Sequence, residues 1–169
     1  MIDGNVTKAG AGSVPFAGNN AIEILENDHE VVKGLFGRLA EAEDPAERSS
    51  LLEQLKAVLT VHNATEENLV YPAVRFAAGR TKDAQTLYHQ QDEAKQGIWE
   101  LDAILKGSLD GEDFGSRVAE LQKAVLAHVR KEEETEFPHL RDALKGKGLT
   151  KLTEEVREFR TKLRFESAQ

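Results

Sequence analysis

Two eleven-residue stretches of the chain follow one pattern. His62-Asn63-Ala64-Thr65-Glu66-Glu67-Asn68-Leu69-Val70-Tyr71-Pro72 aligns with His128-Val129-Arg130-Lys131-Glu132-Glu133-Glu134-Thr135-Glu136-Phe137-Pro138. His, both Glu, the aromatic residue and Pro fall in register. On a helix, a Glu four residues after a His lies on the same face, about 6 Å along the axis. That pair is a two-ligand unit for a transition metal. In each copy it sits on a stripe that is otherwise apolar: Leu55, Val58, Leu59 and Leu69 around His62, and Leu121, Val125 and Phe137 around His128. An inward-facing carboxylate is costly unless it is paired or coordinated. A fold that accepts two such stripes must let them meet.

The rest of the sequence predicts how. Asn20 with Glu23 forms a capping box and opens a helix through Ile22, Leu25, His29, Val32, Phe36 and Leu39, ending near Asp44. Asp44-Pro45 supplies an N-cap and a first-turn Pro for a second helix, which runs to about Ala78 with Pro72 kinking or ending it. A third helix is expected from Thr81 to Lys106, carrying Leu87, His89, Trp99, Leu101 and Leu105. After a loop at Gly107–Gly111, a fourth runs from about Glu112 to Leu144. Lys145-Gly146-Lys147-Gly148 reads as a stop, and Thr150 onward as a shorter fifth helix with a charged face. Residues 1–19, rich in Gly and small residues, read as a flexible arm. The expected domain is thus an all-α, up-down-up-down antiparallel four-helix bundle over 20–148, with that arm before it and a C-terminal helix and tail over 149–169.

The two halves repeat. His29 and His89 are 60 positions apart, and His62 and His128 are 66 apart. Each half reads as a helix with one His followed by a helix with His-x3-Glu. Three of the five His residues have Glu four positions later: His62, His89 and His128. The expected metal ligands are therefore His29, His62, Glu66, His89, His128 and Glu132. Glu93 is a further ligand, a neighbour of one, or a surface carboxylate. Glu67 and Glu133 are rotated about 100° away and fit solvent or a supporting role. His139 lies too far along its helix to share the site and reads as surface. Four imidazoles with two carboxylates exceed what one tetrahedral zinc needs. They suit two octahedral ions, with Glu66 and Glu132 bridging. Mixed nitrogen and oxygen ligands favour iron, with manganese or zinc less favoured.

Composition narrows the field. The chain has 169 residues, a net charge of −8 and no Cys, which excludes disulfides, thiolate-held zinc and iron–sulfur clusters. Met1 is the sole Met, so the most oxidisable side chains are kept out of the interior. The acidic balance argues against a nucleic-acid partner. No apolar run is long enough for a signal peptide core or a membrane span, giving the cytoplasm as the expected location and no membrane partner.

These motifs resemble the hemerythrin-like, HHE cation-binding family over about residues 20–144. The resemblance rests on Asp28-His29, His62-x3-Glu66-Glu67 with Tyr71-Pro72, His89, and His128-x3-Glu132-Glu133 with Phe137-Pro138. It implies a four-helix bundle around an oxo- or hydroxo-bridged di-iron centre held by the six residues named above. It also implies a small oxidant as partner: oxygen, peroxide or nitric oxide. Two positions depart from the oxygen-carrying members. Glu93 stands where they have a second His on helix 3, and Glu132 replaces an Asp one residue later. A carboxylate-richer set favours ferric iron and disfavours reversible oxygen carriage. Iron binding, storage or sensing without turnover is the alternative. A ferritin-like carboxylate oxidase and a metal-free structural bundle stand further behind.

Overall fold

The computed structural model describes residues 18–108 and 113–166. The expected N-terminal arm therefore lies almost wholly outside the described residues, as does most of the loop expected at Gly107–Gly111.

All regular structure in the described residues is helical: α1 (Ala21–Glu41), α2 (Pro45–Thr65), a π turn (Glu66–Val70), α3 (Tyr71–Phe76), α4 (Thr81–Leu105), α5 (Phe114–Lys131), a second π turn (Glu132–Glu136) and α6 (Phe137–Glu166). The helix starts follow from local chemistry. The Asn20 side chain accepts from the N–H groups of Ile22 and Glu23. The Glu23 carboxylate accepts in return from the Asn19 N–H (2.7 Å), so the expected capping box closes one residue earlier than the sequence suggests. Asp44 caps α2 through the Glu47 N–H at 3.0 Å, with Pro45 in the first turn. Gly79, at φ +70°, ends α3 in the left-handed region where only Gly is unstrained.

Each π turn ends with one residue between it and a Pro of the repeated pattern. Pro72 has no N–H, and in a regular helix its ring would press on the Asn68 carbonyl. The chain instead widens, with the Tyr71 N–H reaching the Glu66 carbonyl and the Phe137 N–H reaching that of Glu132. Pro72 and Pro138 thus neither end nor sharply break their helices.

Helices α1, α2, α4 and α5 form a closed ring of neighbours, a four-helix bundle, with α3 and α6 carrying the second and fourth rods onward. Gly97 lets α4 approach α5, because a Cβ there would lie 2.7 Å from Leu121 Cδ1. The chain leaves helical geometry at Lys145 (φ 32°, ψ 142°) and Gly146 (φ 40°, ψ −107°), where the sequence signals a stop. Beyond that break, α6 returns along the bundle and buries Leu152, Thr153, Val156 and Arg160.

Two apolar layers fill the interior. One contains Val32, Phe36, Leu39, Leu51, Leu52, Leu55, Leu101, Val118, Leu121 and Val125. The other contains Ile22, Leu25, Val70, Tyr71, Val74, Leu87, Phe137, Leu140 and Val156. Fully burying one such side chain stabilises the fold by about 1.5–3 kcal/mol. Between the layers each rod contributes polar residues: His29 follows Leu25 and precedes Val32, His62 follows Leu59, Gln91 follows Leu87, and His128 follows Val125. The apolar layers are what hold this polar belt in register.

Candidate metal centre

Four of the expected ligands converge. One ligand atom from each of His29, His62, Glu66 and Glu132 lies within 4.8 Å of the others, and all four residues are buried. His62 Nε2 is 3.2 Å from Glu66 Oε2, and His29 Nε2 is 3.3 Å from Glu132 Oε2. His128, only 8% exposed, joins the edge of the group with Nε2 3.3 Å from Glu132 Oε1. Each imidazole turns its Nε2 inward and is held by a partner at Nδ1: Asp28 Oδ2 for His62 (3.1 Å), Glu133 Oε1 for His29 (2.9 Å) and Gln90 Oε1 for His128 (3.1 Å). Such partners fix ring orientation and raise ligand basicity. Glu133 therefore has the supporting role left open for it. Glu67 pairs with Lys95 at 2.6 Å instead.

His89 is elsewhere. It is 75% exposed, and its Nε2 reaches Glu93, itself 61% exposed, at 3.5 Å. The inward face of α4 runs through Ala84, Leu87, Gln91 and Leu101. His89 is two residues from both Leu87 and Gln91, about 200° around the helix. His89, expected as a ligand, thus lies on the outer stripe of α4, together with Trp99, which is 64% exposed. His139 is exposed, as expected.

Gln91 takes the inward position on α4. Its Nε2 donates to Glu66 Oε2 (2.6 Å) and lies 2.7 Å from the Tyr71 hydroxyl. Tyr71, fully buried, places that hydroxyl 3.0 Å from Glu66 Oε2, 2.8 Å from Glu132 Oε1 and 3.2 Å from His128 Nε2. In a regular α-helix residues five apart diverge by about 140°. The π turn is what lets Glu66 and Tyr71 face the same point. In the other copy the same device brings Phe137 beside His29, with ring centroids 5.8 Å apart and planes 3° from parallel. The register between Tyr71 and Phe137 was the one sequence signal for this pair. Gln91 had the apolar stripe as its signal.

The electrostatics are those of a site built for positive charge. Burial works against charge on His62, but Glu66 and Asp28 outweigh it and raise its pKa to about 10. Burial likewise opposes ionisation of Glu66, yet His62, His128 and His29 hold it down at about 2. His29 is raised by Glu132 and Glu133 against the effect of burial. Burial and the two facing carboxylates push Tyr71 well above the ordinary value of 10.0, so its hydroxyl keeps its proton.

Protein groups alone leave the cluster unsatisfied. Among the described residues buried Glu66 Oε1 has no hydrogen-bond partner, and His29 Nε2 and Glu132 Oε2 face each other at 3.3 Å as an ion pair without hydrogen-bond geometry. Leaving such buried groups without hydrogen bonds is expensive. An inward-facing imidazole nitrogen and two carboxylate oxygens left over at one point form a donor set that a cation completes. The arrangement can coordinate metal. A cavity of about 20 Å³ adjoins it, lined by Val32, Leu59, Ala94, Val125 and Val129 with His29, His62, Asn63, Gln91 and His128.

Comparison with known proteins adds a correction. Over 144 residues the chain is 32% identical to a DNA nickase of Nostoc sp. (strain PCC 7120 / SAG 25.82 / UTEX 2576), covering 85% of this chain and 40% of that protein. The chain thus spans about two fifths of the length of this curated relative. The expectation that nucleic acid is excluded as a partner does not survive this similarity. Net charge describes the field averaged over a surface, and a domain shared with a DNA-acting protein is not excluded from DNA by that average. No helix among the described residues is long and apolar enough to cross a membrane. Residues 20–140 match the hemerythrin HHE cation-binding domain. With the bundle and its buried histidine–carboxylate cluster, that match places the chain in the hemerythrin HHE cation-binding family.

Proposed function

We propose that the cluster holds two iron ions through His29, His62, Glu66, His128 and Glu132, and that the protein binds or processes a small oxidant there: oxygen, peroxide or nitric oxide. The observation that carries this reading is the convergence of buried, unsatisfied ligand atoms on one point between two apolar layers. Nitrogen and oxygen donors without thiolate suit iron. Bound iron would supply an open coordination position and the electrons for reducing such a ligand. Around it the protein's own groups have distinct tasks. Glu66 and Glu132 provide the shared negative charge, and Asp28, Glu133 and Gln90 orient the imidazoles. Tyr71 keeps a proton on Oη next to both carboxylates. The small cavity, lined by equal numbers of aliphatic and polar residues, favours by its size a diatomic ligand or peroxide over larger molecules. His89 is left out of this set because it faces solvent.

Metal analysis and an absorption spectrum of protein purified under air test the proposal. About two irons per chain with near-ultraviolet oxo-to-iron bands are expected, and Glu66→Ala should lose both. Protein that stays colourless and metal-free after iron supplementation would refute it. Added peroxide then separates turnover from binding: steady oxygen release marks an enzyme, and a single bleaching event marks a storage or sensing module.

The nickase relative favours a second reading, in which this domain serves a DNA-directed activity. Iron-loaded protein incubated with supercoiled plasmid should then yield open circles, and Glu66→Ala should not. Plasmid that remains supercoiled would remove this reading.

A further inference from the structure

The segment that follows the family match, residues 141–166, reaches into the centre from outside the four rods. Arg160 lies on α6 beyond the break at Lys145 and Gly146, and it is 1% exposed. A guanidinium is among the groups least often fully buried. Its Nη2 donates to Asp28 Oδ2, and its Nε donates to Thr65 Oγ1 at 3.0 Å. Asp28 Oδ2 is the same oxygen that meets His62 Nδ1 at 3.1 Å. Thr65 precedes Glu66, and its own hydroxyl is anchored to the Val61 carbonyl at 2.6 Å. The Thr153 hydroxyl on α6 also accepts the Ala21 N–H at 2.9 Å, holding the return segment against the start of α1.

We propose that Arg160 is a positioning residue for the metal centre: it clamps Asp28 against the Thr65 turn, and Asp28 in turn fixes the His62 ring so that Nε2 faces the cluster. The inference rests on the metal reading above. It makes the C-terminal segment part of the centre. Two donors from one rigid, planar fork hold two different elements in a fixed relative geometry, which the single flexible ammonium of a lysine does not reproduce. Without the clamp, Asp28 can rotate about its side chain and release His62 Nδ1.

The test measures iron content and the rate of iron loss to an excess of chelator, with the spectrum of the loaded protein, for wild type, Arg160→Met, Arg160→Lys and Asp28→Asn. Arg160→Met should weaken iron retention by about 10–100-fold, the range typical for partners of ligating His. Arg160→Lys, which keeps charge and most of the volume, should fold and fall between Met and wild type. In an Asp28→Asn background neither Arg160 substitution should add a further loss, because Arg160 acts through Asp28. The iron bands of Arg160→Met and Asp28→Asn should shift together. Folded Arg160→Lys and Arg160→Met proteins that keep wild-type retention and spectrum, with only a lower melting temperature, would overturn the proposal. If Arg160→Met does not fold, the cycle between Arg160→Lys and Asp28→Asn decides it by the same criteria. Wild-type protein that binds no iron would overturn the metal reading as well, which the wild-type arm alone reveals.

Discussion

Replacing Tyr71 by Phe removes one oxygen from the middle of the polar belt and leaves the ring in place, including its edge contact with Tyr88 at 5.0 Å. The hydroxyl has one proton, so of its approaches to Glu132 Oε1 (2.8 Å) and Glu66 Oε2 (3.0 Å) only one is a donated bond at any moment. That bond goes to a charged, buried acceptor and contributes about 1.5–3 kcal/mol. The Gln91 donation at 2.7 Å is also lost, but Gln91 Nε2 keeps Glu66 Oε2 at 2.6 Å and so keeps a partner. The expected cost to the metal-free protein is therefore about 2–3 kcal/mol. For a chain of this length that lowers Tm by about 5–10 °C. Iron-loaded protein should lose less, because the ion takes over the stabilisation of the two carboxylates. Thermal unfolding of wild type and Tyr71→Phe, each with and without metal, measures all four values. A metal-free variant whose Tm stays within about 1 °C of wild type would show that the hydroxyl is not holding the carboxylates.

The metal-free protein should be most stable between pH 4.5 and 6.5. His62, raised from 6.5 to about 10, contributes fully below 6.5 and loses that contribution as pH rises through 10; Glu66, lowered from 4.5 to about 2, contributes fully above 4.5 and loses it as pH falls through 2. A Tm that climbs between pH 7 and 10 without metal would contradict this, whereas iron-loaded protein should tolerate that range because the ion replaces the protons. His128→Ala should weaken iron retention at least about tenfold and His89→Ala should leave it within about twofold; equal effects would mean the exposed imidazole takes part. Leu55→Ala, at a fully buried position, should cost about 2–5 kcal/mol in denaturant unfolding, while Trp99→Ala on the exposed face should stay within about 0.5 kcal/mol.

The sequence was most legible where one helix carried all the information. Asn20 and Asp44 named their own helix starts, and His62 with Glu66 and His128 with Glu132 named one face each. His29 was placed inward by the unbroken stripe from Ile22 to Phe36, and it is inward. The reading of α4 failed because its pattern is shallow. Ala84, Leu87, Gln91 and Leu101 bury a face that includes a polar side chain, and a His at Glu spacing drew the reading to the far side. Gln91 looks like a surface residue until Glu66 stands opposite it. Arg160 was illegible for a related reason. Its partners Asp28 and Thr65 lie 132 and 95 residues away, and although Arg160 continues the Leu152 and Val156 stripe, an arginine on such a stripe ordinarily reaches out to solvent. Pairings across that separation belong to the tertiary packing and leave no trace in a local pattern.

The widened turn ahead of each Pro has a consequence for how this domain tolerates length changes. Each turn holds one residue beyond the regular helical count, and that surplus aims Glu66 and Tyr71, or Glu132 and Phe137, at the same point. A one-residue deletion between Glu66 and Val70 would let the rod relax to an ordinary helix with the carboxylate and the phenol four apart, the spacing that shares one helical face. A one-residue insertion would instead turn the phenol about 100° further round and out of the interior. In the long rods a single-codon gain would thus be far more damaging here than a single-codon loss, even though neither alters a ligand.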